Sequence, residues 1–525
     1  MTSHELIAFI PKTTKAHQHG SNMVFEVSQG ELRPLARMYA ESGVLRLVMM
    51  LGIDDRDREG DFKVFYVFGA AGTGRFLVPF VRASKEGTYP SIAREIHGAS
   101  MYERIIKESF GLTAEGHPGA LQPHRLHAPW PIDAFPMRKD AMTPDENSGE
   151  SIRYDFAEIG GEGIYEVPVG PVHAGIIEPG HFRFSMAGEE IISLEPRLGW
   201  VHKGTEKLFE SRTIAEQLKL AERVAGDTSF THATAYAQAI EDLAGIAVPE
   251  RAAALRVVFS EIERIANHVS DIGFIMGDTG FNFGGAHCSR IRERVMRVAE
   301  RATGHRFLRG VAAIGGVHTD LDAKAEAEIA AELADIERDF TEVMRVADES
   351  TSLYNRLVGT GTVSEEAARD HCAVGVAARA SGIATDVRKD FPYAAYAKFP
   401  ITLPETKSGD VHARYRVRIH EAFEAFRVIQ AVLAKLPKGA ARAAVDLDRI
   451  ALRKQSYALG LTEGWRGEIA YFVATDAAGK IVRVSPRDPS FIDWHLAPIA
   501  AAGSVLLDFP LINKSFNMSY SGNDL

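Results

Sequence analysis

The sequence predicts an α+β fold, in which a small N-terminal α/β-sandwich domain precedes a long helical bundle clasped by β-hairpins. Two observations support this prediction. β-rich runs joined by turn residues dominate the first part of the chain, and apolar residues at helical spacing dominate the region from about 205 to 440. A chain of 525 residues also exceeds what one hydrophobic core usually organises, so we expect two domains.

The N-terminal domain contains two β-rich runs that meet at a glycine-rich turn. The stretch FKVFYVFGAAGTGRFLVPFV covers residues 62–81, with Gly69, Gly72 and Gly74 between the runs. A glycine-rich loop that binds phosphate opens a helix, whereas here a strand pattern resumes after the last glycine. We therefore predict a β-hairpin. A short helix is expected within residues 102–119, which run into a loop rich in Gly and Pro.

A change in composition marks the boundary between the domains. Residues 122–151 are rich in Pro, Asp and Ser, as linkers are. We place an N-terminal domain at 1–140, a linker at 141–160 and a second domain at 161–525. If the linker separates them, the N-terminal domain should make fewer contacts with the bundle than within itself.

The second domain has a helix-rich centre between two hairpins. Residues 181–204 alternate around an Ala-Gly turn, and residues 466–487 turn at Ala-Ala-Gly-Lys. Helical spacing of apolar residues is found in 251–274, 321–347 and 413–436. In the first of these segments the residues at spacings of three and four are Leu255, Val258, Phe259, Ile262, Ile265, Val269 and Ile272.

Composition excludes several classes of protein. The net charge is −10 and no basic stripe is present, which argues against nucleic acid as a partner. The two cysteines, Cys288 and Cys372, lie far apart and form no CxxC, so the chain cannot hold an iron–sulfur cluster or a cysteine-based zinc site by itself. No apolar run approaches the roughly 20 residues of a membrane span. The N-terminus lacks a hydrophobic signal core, so we expect a cytosolic protein.

Several sequence blocks resemble the large subunit shared by nickel–iron hydrogenases and the 49-kDa subunit of respiratory complex I. The N-terminal domain is similar to the 30-kDa complex I subunit, through YERIIKESFGLTAEGHP and FPMRKD. A fusion in this order is the layout of the large subunit in hydrogenase-4 and formate hydrogenlyase complexes. The blocks of the second domain are GPVHAGIIEPGHFRFSMAGEEIISLEPRLGWVHKGTEKLFESR, VPERAAALRVVFSEIERIANHVSDIGF, IATDVRKDFPYAAY and RGEIAYFVATD.

The resemblance implies an oxidoreductase that works only within a complex. The partners expected from it are a small subunit that carries a [4Fe–4S] cluster, membrane subunits of the antiporter type, and quinone. Through these partners the chain would attach to the inner face of the cell membrane. The activity implied is like that of NADH:quinone oxidoreductase.

The metal ligands of the hydrogenases are not found at the matching positions of this chain. Hydrogenases carry RVCGxC where this sequence has RVAGDT, and a second CxxC where it has SYSG. The four thiolate positions therefore fall on Ala225, Thr228, Ser519 and Gly522. A nickel–iron centre needs soft thiolates, so we predict no metal in this chain and no hydrogenase activity.

Four residues are expected to do chemistry in the space that the metal would fill. By the resemblance, Glu178 matches a carboxylate that moves protons beside the nickel, and Asp278 matches the aspartate that complex I pairs with a quinone-site histidine. His173 and His181 flank the position of that histidine, because the loop differs by two residues. An aspartate orients such a ring and stabilises its charged form.

Three further residues are predicted to bind the acceptor. Arg466 matches an arginine that points at the metal pocket of hydrogenases, and Arg223 precedes the thiolate loop. Gly226 takes the position of the quinone-site tyrosine of complex I, so that hydroxyl is missing. The simpler interpretation is that these arginines and Glu178 are partners in core ion pairs, and that His173 and Asp278 tie a loop to a helix.

Three hypotheses about function remain open at this point. In the first, electrons pass from the partner's cluster to a quinone-like acceptor in the cavity. In the second, the subunit is a catalytically inactive scaffold that docks electron-transfer subunits onto antiporter-like membrane subunits. In the third, the cavity hosts a different small-molecule reaction. We favour the first.

Overall fold

The N-terminal domain is built on one five-stranded sheet with strand order β1-β2-β5-β4-β3. The computed structural model describes residues 3–12, 14–144, 150–173 and 177–525. Strands β2 and β5 are parallel, and the other neighbours are antiparallel. The elements are α1 Ser3–Ile7, β1 His17–His19, β2 Asn22–Glu26, α2 Gln29–Glu41, β3 Leu45–Asp55, α3 Arg56–Glu59, β4 Asp61–Ala70, β5 Arg75–Arg82, β6 Thr88–Pro90, α4 Ala99–Phe110 and β7 Thr113–Glu115.

The predicted hairpin at the glycine-rich turn is confirmed. Strands β4 and β5 pair antiparallel, with Ala70 opposite Arg75. Gly72 and Gly74 lie between them with φ of 74° and 63°, which is backbone that glycine adopts without strain. These glycines therefore shape a turn and form no phosphate loop.

The second domain is a helical bundle flanked by two three-stranded sheets, β10-β9-β8 and β13-β14-β15. This arrangement confirms the predicted fold class and both predicted hairpins. The elements are β8 Ile164–Val169, β9 His181–Ala187, β10 Glu190–Arg197, α5 Thr205–Ser211, α6 Ile214–Ala221, α7 Ser229–Ala244, α8 Glu250–Asp278, α9 Asn282–Thr303, β11 Ala312–Ala313, β12 Gly316–Val317, α10 Ala323–Asp348, α11 Thr351–Leu357, α12 Glu365–Asp370, α13 Gly375–Ala380, α14 Val387–Asp390, α15 Val411–Leu433, β13 Tyr457–Glu463, β14 Glu468–Thr475, β15 Ile481–Arg487, α16 Pro489–Asp493, α17 Leu496–Ala501, α18 Phe509–Phe516 and α19 Tyr520–Asp524.

Helix α8 runs through the centre of the bundle. The predicted apolar stripe is buried along its whole length, and every one of its seven members is at most 1% exposed. The opposite face is buried as well and carries ion pairs, among them Arg264 with Glu261 at 3.0 Å and Asp271 with Arg418 at 2.6 Å. Charges buried in this way are stable only when they are paired.

The two domains share a hydrophobic core. Phe65 of the N-terminal sheet lies 5.7 Å from Phe472 of β14 and 5.2 Å from Tyr457 of β13, measured between ring centroids. Arg46 of β3, which is partly exposed, forms an ion pair with the buried Glu468 of β14. Part of the predicted linker, residues 145–149, lies outside the described residues. Within the described part of the chain, no helix is both long enough and apolar enough to cross a membrane.

Candidate functional site

The loop between α6 and α7 positions the first group of site residues. Helix α6 ends at Ala221, and the loop leads into α7 at Ser229. Two hydrogen bonds anchor it: Arg309 donates to the Gly226 carbonyl oxygen at 3.4 Å, and the Glu222 carboxylate accepts from the Gly310 amide at 2.6 Å. The loop therefore presents Gly226 and Asp227 at a fixed place.

Arg466 and Asp227 form a bidentate ion pair at the base of the site. The two guanidinium nitrogens lie 2.7 and 2.8 Å from the two carboxylate oxygens, and Arg466 Nε donates to the Asn517 carbonyl oxygen at 2.5 Å. Its guanidinium also stacks on the Trp465 ring, 3.9 Å from the centroid. Burial works to raise the pKa of Asp227, but the Arg466 charge and hydrogen bonds together lower it below its usual value.

The four positions to which the resemblance assigns thiolates do not fit a nickel–iron centre. Ala225 and Gly522 have no donor side chain. The Thr228 hydroxyl accepts from Trp465 Nε1 at 3.0 Å, and the Ser519 hydroxyl accepts from the Gly522 amide at 2.8 Å, which caps α19. A Cβ atom on Gly522 would lie 2.5 Å from the carboxylate carbon of Asp488. A carboxylate therefore takes the space that a fourth ligand needs.

Beside these positions lies a cavity of about 310 Å³. It is bounded by the EPGH loop, by the loop before α7 and by the C-terminal segment that includes α18 and α19. Carboxylate, ammonium, amide, hydroxyl and apolar groups are all present in its walls. The lining residues are Ile177, Glu178, Gly226, Asp227, Arg466, Asn513, Lys514, Asn517, Met518, Ser519, Tyr520 and Ser521.

Three of the predicted site residues meet at this cavity: Glu178, Gly226 and Arg466. The Glu178 side chain is exposed, and its Oε2 atom accepts a hydrogen bond from the Ser521 amide at 3.0 Å. The carboxylate thus faces the cavity from one side, while the Arg466–Asp227 pair closes it from another. The site therefore has a carboxylate that is in contact with solvent.

The two predicted histidines lie in the loop and strand behind Glu178 and, among the described residues, neither lines the cavity. His173 Nε2 donates to the Gly180 carbonyl oxygen at 2.8 Å, and His181 Nδ1 contacts the Gly170 carbonyl oxygen at 3.4 Å. Burial, the largest cause, lowers the pKa of His181. Both imidazoles therefore contact backbone carbonyl oxygens, of Gly180 and Gly170 respectively. The described residues show no contact between either ring and Asp278, so the expected pairing of a histidine with Asp278 stays a prediction.

Arg223 and Asp278 also differ from expectation, since neither is among the described residues that line the cavity. The Arg223 side chain is 54% exposed and contacts Glu222 at 3.5 Å. Asp278 is exposed at the C-terminal end of α8. Partial burial raises the pKa of Asp278, and the charge of Lys514, which does line the cavity, opposes that rise. Asp278 therefore lies near enough to feel the charge of Lys514 but does not itself line the cavity.

Sequence reasoning missed several residues of the site. Asp227 was visible in RVAGDT as the only carboxylate of the loop, but its partner Arg466 lies 239 positions along the chain. Tyr520 and Lys514 belong to the C-terminal segment KSFNMSYSG, in which only the missing cysteines were interpreted. The amphipathic mixture of Lys, Asn, Ser and Tyr in that segment is the signal that would have pointed to them.

Comparisons with known proteins identify the family. The family model of the 30-kDa subunit of respiratory-chain NADH dehydrogenase matches residues 25–147, and that of the 49-kDa subunit matches residues 278–524. Formate hydrogenlyase subunit 5 of Escherichia coli is 33% identical over 487 residues, which cover 91% of this chain and 84% of the relative. The chain belongs to the family of fused 30-kDa and 49-kDa complex I-type subunits.

Two further relatives connect both branches of this complex I and hydrogenase family. Hydrogenase-4 component G of Escherichia coli is 30% identical over 486 residues, covering 91% of this chain and 83% of the relative. NADH-quinone oxidoreductase subunit 4 of Thermus thermophilus is 31% identical over 377 residues, covering 67% of this chain and 92% of the relative. The fused complex I-type subunit is thus similar both to hydrogenase components and to a quinone oxidoreductase subunit.

Proposed function

We propose that this fused complex I-type subunit passes electrons from a [4Fe–4S] cluster of a partner subunit to a quinone-like acceptor in the 310 Å³ cavity, without hydrogenase activity. One observation carries the proposal. A cavity with a solvent-contacting carboxylate remains beside four positions that offer no thiolate. The quinone reductase relative supports the choice of acceptor, and the naming of relatives as subunits and components supports a multisubunit assembly.

The residues of the cavity suit the protons that such a reaction consumes. Reduction of a quinone takes up two electrons and two protons, and each carbonyl oxygen becomes a hydroxyl. The electrons come from the partner's cluster, one at a time. Glu178 is placed to deliver protons, since it lines the cavity and is exposed to solvent. The Arg466–Asp227 pair keeps the base of the cavity polar and fixed.

The main alternative is a scaffold that docks electron-transfer subunits onto antiporter-like membrane subunits. This alternative is supported by the pairing of the site's own groups. Asp227 neutralises Arg466, and Asp488 occupies the space beside Gly522. A site of this kind needs no ligand to remain stable. The scaffold hypothesis therefore predicts that changes to Glu178 leave electron transfer through the complex unaltered.

One experiment on the native complex separates the two proposals. The complex is purified, and the reduction of a short-chain benzoquinone, hydrogen evolution from a reduced viologen, and nickel content are measured. We expect quinone reduction, no hydrogen, and far less than one nickel per chain. Glu178→Gln should slow quinone reduction by about an order of magnitude, while Glu189→Gln, an exposed carboxylate in the β9–β10 turn, should not.

Three results would contradict the proposal. Hydrogen evolution with about one nickel per chain would establish a hydrogenase. An intact complex that reduces no quinone, or one in which Glu178→Gln leaves the rate unchanged, would favour the scaffold.

A further inference from the structure

Tyr520 lines the cavity and carries a buried, unpaired hydroxyl. The residue is 6% exposed and belongs to the lining of the cavity. Within the described part of the chain, its hydroxyl oxygen is buried and makes no hydrogen bond of ordinary geometry. Two other polar groups of the cavity have partners, for Arg466 binds Asp227 and the Ser521 hydroxyl donates to the Val224 carbonyl oxygen at 2.8 Å.

The ring of Tyr520 is held rigidly from three sides. Its centroid lies 4.9 Å from that of Trp494 and 6.5 Å from that of Phe182, both in edge-on contact. On the third side the ring lies against the backbone of Gly180, where an added Cβ would collide with the ring. His173 donates to the carbonyl oxygen of the same glycine at 2.8 Å. The EPGH loop and His173 thus set the direction of the phenol.

An unpaired buried hydroxyl destabilises a protein, and phenylalanine would fill the same space without that cost. Burial, the largest cause, raises the pKa of Tyr520 to about 12, the nearby Asn513 amide opposes this rise, and Glu178 adds to it. The phenol therefore keeps its proton at physiological pH and remains a neutral hydrogen-bond donor. A rigid, protonated donor with no protein acceptor is suited to a ligand that brings its own acceptor oxygen.

We propose that Tyr520 binds the ligand of the cavity by donating a hydrogen bond to a carbonyl oxygen, and that it thereby selects acceptors of the quinone type. This inference rests on the proposed function of the same cavity. The charged donors fit the task less well. Arg466 is already engaged by Asp227 and by the Asn517 carbonyl oxygen, and Lys514 lies over the Phe274 ring, 4.6 Å from its centroid. Tyr520, in the C-terminal segment, thus provides a phenol in a cavity where Gly226 provides no side chain.

The test compares Tyr520→Phe with Tyr165→Phe in the native complex. Tyr165 is a matched control, because it is 49% exposed in β8 and donates only to the Gly188 carbonyl oxygen. Binding of a short-chain benzoquinone is followed by quenching of tryptophan fluorescence, since Trp494 contacts the Tyr520 ring. KM, kcat and the melting temperature are measured on the same preparations.

We expect Tyr520→Phe to raise both the Kd and the KM for the quinone about tenfold, as loss of one hydrogen bond does, with kcat within about twofold. The melting temperature should stay the same or rise, because the unpaired hydroxyl is gone. Unchanged Kd and KM in a variant of a complex that does bind quinone would overturn this inference alone. If the wild-type complex binds no quinone, the proposed function itself fails.

Discussion

At the scale of single residues, the positions matching the hydrogenase thiolates are occupied by groups that work for the fold. Thr228 accepts a hydrogen bond from Trp465, Ser519 caps α19, and Ala225 is fully buried. Gly522 leaves room for Asp488, which in turn accepts from the Ser490 amide at 2.8 Å and pairs with His232 at 2.9 Å. Putting back cysteines would therefore disturb packing before it created a metal site.

The substitution Gly522→Ala should destabilise the folded protein. The added Cβ would meet the Asp488 carboxylate at 2.5 Å, and Asp488 is held by His232 and cannot withdraw freely. Overpacking of this kind costs about 1–3 kcal/mol, so the midpoint of urea unfolding should fall accordingly. Gly277→Ala is the control, because no atom lies within 4 Å of the added methyl group in α8. A Gly522→Ala variant as stable as the wild type would show that the Asp488 side chain is free to move.

Which site residues could be predicted depended on where their contacts come from. Glu178, Gly226 and Arg466 lie in motifs with a fixed place in the family fold, so the resemblance located them. Arg223 was misplaced, because its neighbour in sequence says nothing about which way the side chain points at the end of a helix. Tyr520 could not be found at all, since its surroundings, Trp494 and Gly180, come from distant parts of the chain.

At the scale of secondary-structure elements, the spacing of apolar residues in α8 predicts its apolar buried face but not its buried ion pairs. The stripe of apolar residues at spacings of three and four marked one buried face correctly. The charged residues between them are buried as well, for His268 pairs with Glu421 at 2.9 Å and Arg264 with Glu261 at 3.0 Å. Glu421 lies on α15, and Arg264 also donates to the carbonyl oxygens of Glu463 and Gly464, so no local pattern distinguishes this face from a solvated one.

Helix α8 also supplies the cap of α7, and this leads to a prediction about pH. Glu263 accepts from the amides of Phe230 at 2.8 Å and Thr231 at 3.3 Å. Burial, the largest cause, raises the pKa of Glu263 to about 7 from a usual value of 4.5, although its hydrogen bonds oppose this. Between these two pH values the unfolded chain has lost its proton while the folded chain keeps it. The contribution of Glu263 to stability is therefore fully present below about pH 4.5 and is lost as the pH rises through about 7.

Glu263→Gln removes the charge and keeps an acceptor for the α7 amides. We expect the slope of its unfolding free energy against pH, between about pH 5 and 7, to be more positive than that of the wild type by up to about 1.4 kcal/mol per pH unit. Urea unfolding at several pH values across this range measures the slope, with the exposed Glu189→Gln as the control. If the slope of Glu263→Gln equals that of the wild type, Glu263 is ionised throughout this range.

At the scale of the whole molecule, the two domains are joined by more than the linker. Beside the shared aromatic core, His97 of the N-terminal domain contacts His371 with ring centroids 4.5 Å apart, and His371 stacks on His495 at 6.4 Å. A cavity of about 60 Å³ lies among the three rings. No local sequence pattern predicts this junction, because its three histidines are more than 100 positions apart from one another.

The histidine junction predicts loss of stability in mild acid. Burial, the largest cause, lowers the pKa of His371 to about 4 and that of His495 to about 3, and neighbouring histidines add to this. Asp370 opposes the effect at His371, and Arg104 reinforces it at His495. Because the unfolded histidines bind protons below their usual pKa of 6.5, stability is lost as the pH falls from 6.5 towards 4.

Each histidine contributes up to about 1.4 kcal/mol per pH unit over this window. The double variant His371→Gln, His495→Gln should therefore unfold with a shallower dependence on pH between about 6.5 and 5. Thermal melts across this range give the comparison, and His17→Gln, an exposed strand residue, serves as the control. An unaltered dependence in the double variant would place the acid sensitivity elsewhere in the molecule.

Cleavage of the linker tests how the domains depend on each other. Met142 is 86% exposed, so limited proteolysis should cut between about 138 and 152. The sequence predicts fewer contacts with the bundle than within the N-terminal domain, and a domain held to the bundle by few contacts would come away after the cut. Phe65, Tyr457 and Phe472 instead share one core, and Arg46 and Glu468 are paired within it. Apolar burial and a paired buried charge both disfavour separation.

We therefore expect the two fragments to migrate together in gel filtration at neutral pH and to separate only in urea. The uncut chain in the same buffers is the reference for the elution volume. Acidification to about pH 5 should weaken the nicked complex before it affects the uncut chain, since the cut removes the tether that keeps the histidine junction at high local concentration. Fragments that part at neutral pH would mean that the shared core stabilises each domain but not their association, and that the linker alone holds the molecule together.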